Sequence, residues 1–265
     1  NLGRAPNRDD TNVIVHRFAR TAVVSALAPL PMLILLHANG TDRTVQERCP
    51  PPARLERWVG LVPPSLHLGA LAVALPLLLT VTLFAGPLVQ RHLDGDGYSL
   101  TRLCDSFRER TTRLILARNL IVGPFTEEWV FRACMCPLFF SAGYSDVANV
   151  FATALIFATA HLHHWLDAGS PPIVLAVQFL YTSLFGAYSS YLFLRTGLLY
   201  GPFAAHVFCN SVGLPDFGRV LSHERPRLVA YSYLAGSVGF VAIVALDAAW
   251  RPPIFGSMYW HGDAS

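Results

Sequence analysis

Seven stretches of this chain are apolar for long enough to cross a bilayer, and that repetition constrains the fold more than any other feature. A helix needs about 20 apolar residues to span the hydrocarbon core. The stretches are Ala19–His37, Leu66–Val89, Asn119–Phe140, Val147–Trp165, Ile173–Leu194, Leu198–Leu214 and Leu228–Trp250. One alone would read equally well as a buried core helix; seven in 265 residues do not. Lipid offers the backbone no hydrogen-bond partner, and strand-like alternation is absent, so each stretch is expected to be helical. The sixth is short, and Pro202 falls within its first turns. The expected fold class is all-α, a polytopic transmembrane helix bundle in a single membrane-embedded domain over residues 1–265. It comprises a polar N-terminal segment (1–18), an arginine-rich connecting helix (91–118) and core helices (119–214).

Charge excludes several classes of function. Only 14% of residues are charged, against about 25% in soluble domains. Net charge is +3 and no basic run occurs, which speaks against a nucleic-acid partner. All twenty cationic side chains are arginine, so serine–lysine dyads, Schiff-base chemistry and a P-loop are ruled out. The five cysteines contain no CxxC pair, and neither a disulfide framework nor a zinc site of paired cysteines is expected.

Arginines cluster before the first span, between Arg91 and Arg118, and between Pro215 and Arg227. Seven crossings put these three segments on one side, expected to be cytosolic. The loop from Ala38 to Arg57 also carries four arginines, but its Asn39-Gly40-Thr41 sequon suits the luminal side. Leu100, Leu103, Phe107 and Leu114 recur at helical spacing, as in an amphipathic helix on the cytosolic leaflet or an ordinary connecting helix.

An ionisable side chain inside a span costs roughly 3 kcal/mol or more and is a functional candidate by default. The third span holds Glu127, Glu128 and Arg132, the fourth His161 followed by His163 and His164, the sixth His206 and Asn210. Adjacent helical residues sit about 100° apart, so Glu127 and Glu128 have different surroundings. Glu128 and Arg132, at i and i+4, share a face and suit an ion pair, which leaves Glu127 projecting elsewhere. His206 and Asn210 share a face in the same way. Glu127, His161 and His206 all fall within roughly 6–14 Å of one membrane boundary at 1.5 Å per residue, which allows them to meet in one cavity. A carboxylate with an imidazole can deprotonate a water, and a second imidazole with an amide can stabilise the oxyanion formed on a carbonyl. Hydrolysis of an amide at the membrane surface is one coherent reading. A structural ion pair at Glu128 and Arg132, and interhelical bonding by Asn210, are the bland alternatives. Leu93-Asp94-Gly95 matches a metalloprotease tripeptide, but no HExxH accompanies it, and no GxSG occurs.

The ordered trio Glu127-Glu128-x-x-x-Arg132, Phe157-x-x-x-His161 and His206-x-x-x-Asn210 resembles the signature of the type II CAAX prenyl endopeptidases. This is the Ras-converting enzyme family within the CPBP membrane proteases. The segments Arg118 to Glu128 and Gly201 to His206 resemble its eukaryotic branch. The resemblance implies removal of the C-terminal aaX tripeptide from prenylated CAAX proteins such as Ras-type GTPases, in the endoplasmic reticulum membrane, at a site facing the cytosol. It implies Glu127 as general base with His161, His206 and Asn210 as the oxyanion hole, and Glu128 and Arg132 in support. It implies no cofactor, although Glu127, His161 and His206 are groups that zinc accepts. The family has eight membrane helices, so one further helix is expected before Asn1 in the full-length protein. The aromatic fifth span (Phe179, Tyr181, Phe185, Tyr188, Tyr191, Phe193) is a candidate wall for the prenyl chain. Two other readings remain at this level: a CPBP relative or scaffold with a different substrate, and a transporter using the same groups as a proton relay.

Overall fold

The structure, a computed structural model, describes residues 9–38, 55–95, 110–162, 171–249 and 254–260. Asn39, His163, His164 and most of the expected amphipathic helix lie outside these residues. Every regular element among the described residues is helical: α1 (Thr11–Leu27), α2 (Leu30–Ala38), α3 (Leu55–Trp58), α4 (Leu66–Leu83), α5 (Ala85–Leu93), α6 (Arg110–Ala117), α7 (Gly123–Glu128), α8 (Cys136–Ser141), α9 (Asp146–His161), α10 (Pro172–Thr196), α11 (Tyr200–Val212) and α12 (Pro226–Ala249). A short 3₁₀ turn, Phe217–Arg219, precedes α12. Four helical stretches are long and apolar enough to cross a membrane: Thr11–Ile34, Leu66–Leu83, Pro172–Thr196 and Pro226–Asp247. Their exposed faces are apolar. Ile173, Val177, Leu180 and Leu184 form one stripe on α10, and Leu234, Val238 and Val241 part of another on α12. Apolar stripes of this extent need lipid rather than water around them. The chain is a multi-pass membrane protein.

The third apolar stretch departs from a plain helix. It is a run of consecutive helical segments in which π turns, Arg118–Val122 and Trp129–Met135, alternate with α6, α7 and α8. Each π turn ends just before a proline, Pro124 or Pro137. A proline has no N–H for the carbonyl four residues back and its ring crowds that carbonyl, so a wider turn accommodates it. At the sixth stretch Pro202 lies in the first turn of α11, where a missing N–H costs nothing, and the helix continues unbroken to Val212.

The chain divides into two compact units. One comprises Asn1–Ala26, Leu77–Thr126 and Ala205–Ala249; the other Leu27–Pro76, Glu127–Ala204 and Trp250–Ser265. In the first, α12 packs on α5 through small residues. A Cβ on Gly86 would fall 2.3 Å from the Tyr233 ring, and the Tyr233 hydroxyl donates to Gln90 Oε1 at 2.9 Å. Arg91 Nη1 donates to the Val212 carbonyl at 2.8 Å, closing the C-terminus of α11. Asp94 of the Leu93-Asp94-Gly95 tripeptide faces Arg219 at 3.4 Å and His223 at 3.3 Å, an ionic tie within this unit.

In the second unit α9 and α10 lie along one another. Gly186 lets them approach, since a Cβ there would sit 3.1 Å from the Ala154 Cα, and Thr153 Oγ1 donates to Ser190 Oγ at 2.9 Å. Trp58, Phe140, Phe193 and Tyr259 meet in its core, and the Tyr259 hydroxyl donates to the Trp58 carbonyl. In α4, Pro76 withdraws its N–H from the Ala72 carbonyl, and Gly201 covers that oxygen so closely that a Cβ would lie 2.7 Å away. Several rings of the aromatic span are packing groups: Phe193 is in this core, Tyr191 lies edge-on to Trp260, and Tyr188 donates to the Pro76 carbonyl at 3.2 Å.

Gly86→Ala is expected to lower stability by about 1–3 kcal/mol, because its Cβ meets the root of the Tyr233 ring. Thermal unfolding in detergent reads the loss, with Gly218→Ala, where the nearest atom is 3.5 Å from the new Cβ, as the control that barely changes.

Candidate active site

The two adjacent glutamates have opposite environments. They end α7, the single α turn between the π segments, and a helical turn aims neighbouring residues at different partners. Glu128 is fully buried. Its carboxylate pairs with Arg132, at 3.3 Å from Oε2 to Nε and 3.3 Å from Oε1 to Nη1, the ion pair that their spacing predicts. Ser189 Oγ donates to Glu128 Oε2 at 2.5 Å, and Arg132 Nη2 donates to the Gly186 carbonyl at 3.1 Å. Both partners belong to α10. A buried charge is tolerated only with a counter-charge and hydrogen bonds, and α10 supplies the bonds that close this pair.

Glu127 turns away to α9. Its Oε2 lies 3.5 Å from His161 Nε2, and the two side chains are 34% and 22% exposed, where Glu128 and Arg132 are at 0%. The imidazole is oriented from behind: His161 Nδ1 is 2.7 Å from the Phe157 carbonyl. A carbonyl only accepts, so Nδ1 carries the hydrogen. In the neutral ring Nε2 is then an acceptor, and it faces a carboxylate, which is another acceptor. Such a pair is satisfied by a shared proton, or by a water that donates one O–H to each and keeps its lone pairs free. The second arrangement is what a hydrolytic nucleophile requires.

Phe157 links the buried pair to the exposed one. The Arg132 guanidinium lies 4.4 Å from the centre of its ring, and the ring centre is 4.4 Å from that of His161. Cation–π attraction of this kind is worth about 2 kcal/mol when desolvated. Arg132 thereby fixes Phe157, and Phe157 holds His161 by ring contact and by its carbonyl.

The other unit carries His206 and Asn210. His206 is buried, 6% exposed, on α11. Asn210 is exposed, one turn further along, and its Nδ2 donates to the Asn119 carbonyl at 2.9 Å. Asn119 is itself held, because Arg118 Nε donates to its Oδ1 at 3.0 Å while Arg118 Nη1 pairs with Asp9 at 2.9 Å. Among the described residues no cluster of three or more His, Cys, Asp and Glu side chains is placed to hold a metal.

Sequence reasoning did not find Ser189, Gly186 or the Asn119 carbonyl. Adjacent serines in an apolar span were the visible trace of the first, and Pro124 that of the last.

These motifs sit inside a recognised family. Residues 109–212 match the family described as type II CAAX prenyl endopeptidase Rce1-like. Human CAAX prenyl protease 2 is 36% identical over 264 residues, covering 95% of this chain and 76% of that protein. The chain belongs to the type II CAAX prenyl endopeptidase family. CAAX prenyl protease 2 of Caenorhabditis elegans is 31% identical over 260 residues, which is 84% of this chain and 95% of the nematode protein. That of Arabidopsis thaliana is 37% identical over 196 residues, or 65% and 62% of the two chains. No solved structure matches. Its relatives are proteases, and this chain is one.

Arg132→Leu is expected to cost about 3–5 kcal/mol by leaving Glu128 charged and unpaired. Ser189→Ala removes one hydrogen bond to a buried charge and is expected to cost about 1–3 kcal/mol. Melting temperatures in detergent rank the two.

Proposed function

We propose that this protease hydrolyses the peptide bond after the prenylated cysteine of CAAX proteins and releases the aaX tripeptide. The observation that carries the reading is the Glu127–His161 pair: a half-exposed carboxylate and an imidazole, two acceptors 3.5 Å apart with the ring tautomer set by Phe157. A water lying to one side of the pair, in reach of both, donates to each, and its oxygen attacks the scissile carbonyl. Glu127 takes one proton as the C–O bond forms, and the carbonyl electron pair moves to its oxygen. His206 and Asn210 donate hydrogen bonds to that oxyanion; their motif in this family, and an Asn210 amide whose nitrogen end is set by the Asn119 carbonyl, support the assignment. Collapse breaks the C–N bond, and the proton held by Glu127 passes to the leaving amine. The second proton of the water passes to His161 Nε2 and on to solvent, so the products are a carboxylate on the prenylcysteine and a free tripeptide. Glu128 and Arg132 touch no reacting atom in this scheme and act through Phe157.

The substrate explains why such a site belongs in a membrane protein. A farnesyl or geranylgeranyl chain partitions into lipid at about 0.8 kcal/mol per buried CH₂, while the peptide end stays hydrated. The arginine-rich segments support a cytosol-facing site, and the family resemblance supports the endoplasmic reticulum membrane as its location.

Release of tripeptide from a farnesylated CAAX peptide by purified protein in liposomes tests the reading. Glu127→Gln and His161→Ala are expected to lower kcat by about 10²–10⁴, and Asn210→Ala by about 10²–10³. Cleavage by the parent at full rate after exhaustive chelation is expected, and loss of activity restored by zinc would overturn the two-residue water activation. An intact protein that releases no tripeptide would overturn the substrate assignment.

A further inference from the structure

Asn210 depends on a backbone oxygen that a regular α-helix would occupy. In an α-helix the carbonyl of residue 119 accepts from the N–H of residue 123; in a π turn it accepts from residue 124. Here the Gly123 N–H bonds the Arg118 carbonyl, five residues back. A Cβ on Gly123 would lie 2.8 Å from that same oxygen, so glycine is needed for the approach. The next donor in the π pattern is residue 124, and it is proline, which has no N–H. The Asn119 oxygen is thereby left to the Asn210 carboxamide, which donates to it at 2.9 Å. Two further ties keep this carbonyl in place: the Asn119 side chain is bonded by Arg118, and Arg118 by Asp9. All these residues lie in one unit.

We infer that Pro124 is a positioning residue for Asn210: by withholding an N–H from the Asn119 carbonyl, it reserves that oxygen to orient the Asn210 amide. The bond uses one Nδ2 hydrogen and fixes which end of the amide faces Asn119. The second Nδ2 hydrogen is then held in a set direction, as an oxyanion donor requires. The inference rests on the proposed role of Asn210 in CAAX cleavage, and it names a residue that touches no substrate.

Pro124→Ala restores a donor beside the Asn119 carbonyl and is read in the farnesylated-peptide assay. We expect kcat to fall by about 10- to 100-fold with KM within about twofold. Melting temperature is expected to hold or rise, because alanine is the better helix former. A merely structural proline would lower stability and activity together. Lactate at position 124, introduced by nonsense suppression, has the alanine side chain on an ester with no N–H, and is expected to restore most of the activity. In an Asn210→Ala background, Pro124→Ala is expected to change kcat by less than about twofold. The inference is overturned if Pro124→Ala cleaves like the parent, if the lactate variant is as impaired as the alanine one, or if the loss persists without Asn210. Should Pro124→Ala fail to fold, the lactate variant still decides: impairment there overturns the inference. A parent that does not cleave the peptide sinks the proposed function instead, so the two failures are told apart.

Discussion

Inside a bilayer the backbone has no water to fall back on, and each unpaired N–H or carbonyl costs several kcal/mol. This protein withdraws donors from its own helices at Pro76, Pro124 and Pro137, and the surrounding structure is organised around the carbonyls affected. Gly201 closes over the Ala72 carbonyl, and the Asn210 amide takes that of Asn119. The π turns are the local form of the same adjustment. They leave Glu127 and Glu128 on a single α turn whose orientation differs from that of a continuous helix.

Charge follows a parallel economy. A carboxylate and a guanidinium buried together are neutral as a pair, and Ser189 and the Gly186 carbonyl each add a hydrogen bond to it. The result is a rigid polar knot at the junction of α7, α9 and α10. It leaves the neighbouring glutamate accessible, and through Phe157 it stiffens the imidazole that glutamate faces. One glutamate of the pair is locked into the packing, and the other stands 34% exposed beside His161.

Much of this was legible in the residues alone. Every apolar stretch contains helix, and the four-residue spacing of Glu128 and Arg132 paired them and set Glu127 on a different face. Periodicity locates a face on a helix but not the helix that covers it. The partners on α10, more than fifty residues from Glu128 in sequence, therefore came only with the packing. The π turns escaped for a related reason: an apolar span is read as uniform, and only its prolines hinted that the register changes within it. At the sixth stretch the proline proved to begin a helix rather than to break one, since a missing N–H matters only beyond the first turn.

Tyr259 has a bearing on how the protein is made. Its ring is wholly buried against Trp58, Phe140 and Phe193, so the core of one unit is assembled from residues two hundred positions apart. Helices enter the membrane one by one during synthesis, each stable on its own backbone bonds. That core stays open until residue 259 has left the ribosome. Until then Trp58 and Phe193 must wait among lipid chains, and the nascent protein is a set of inserted helices without a finished interior.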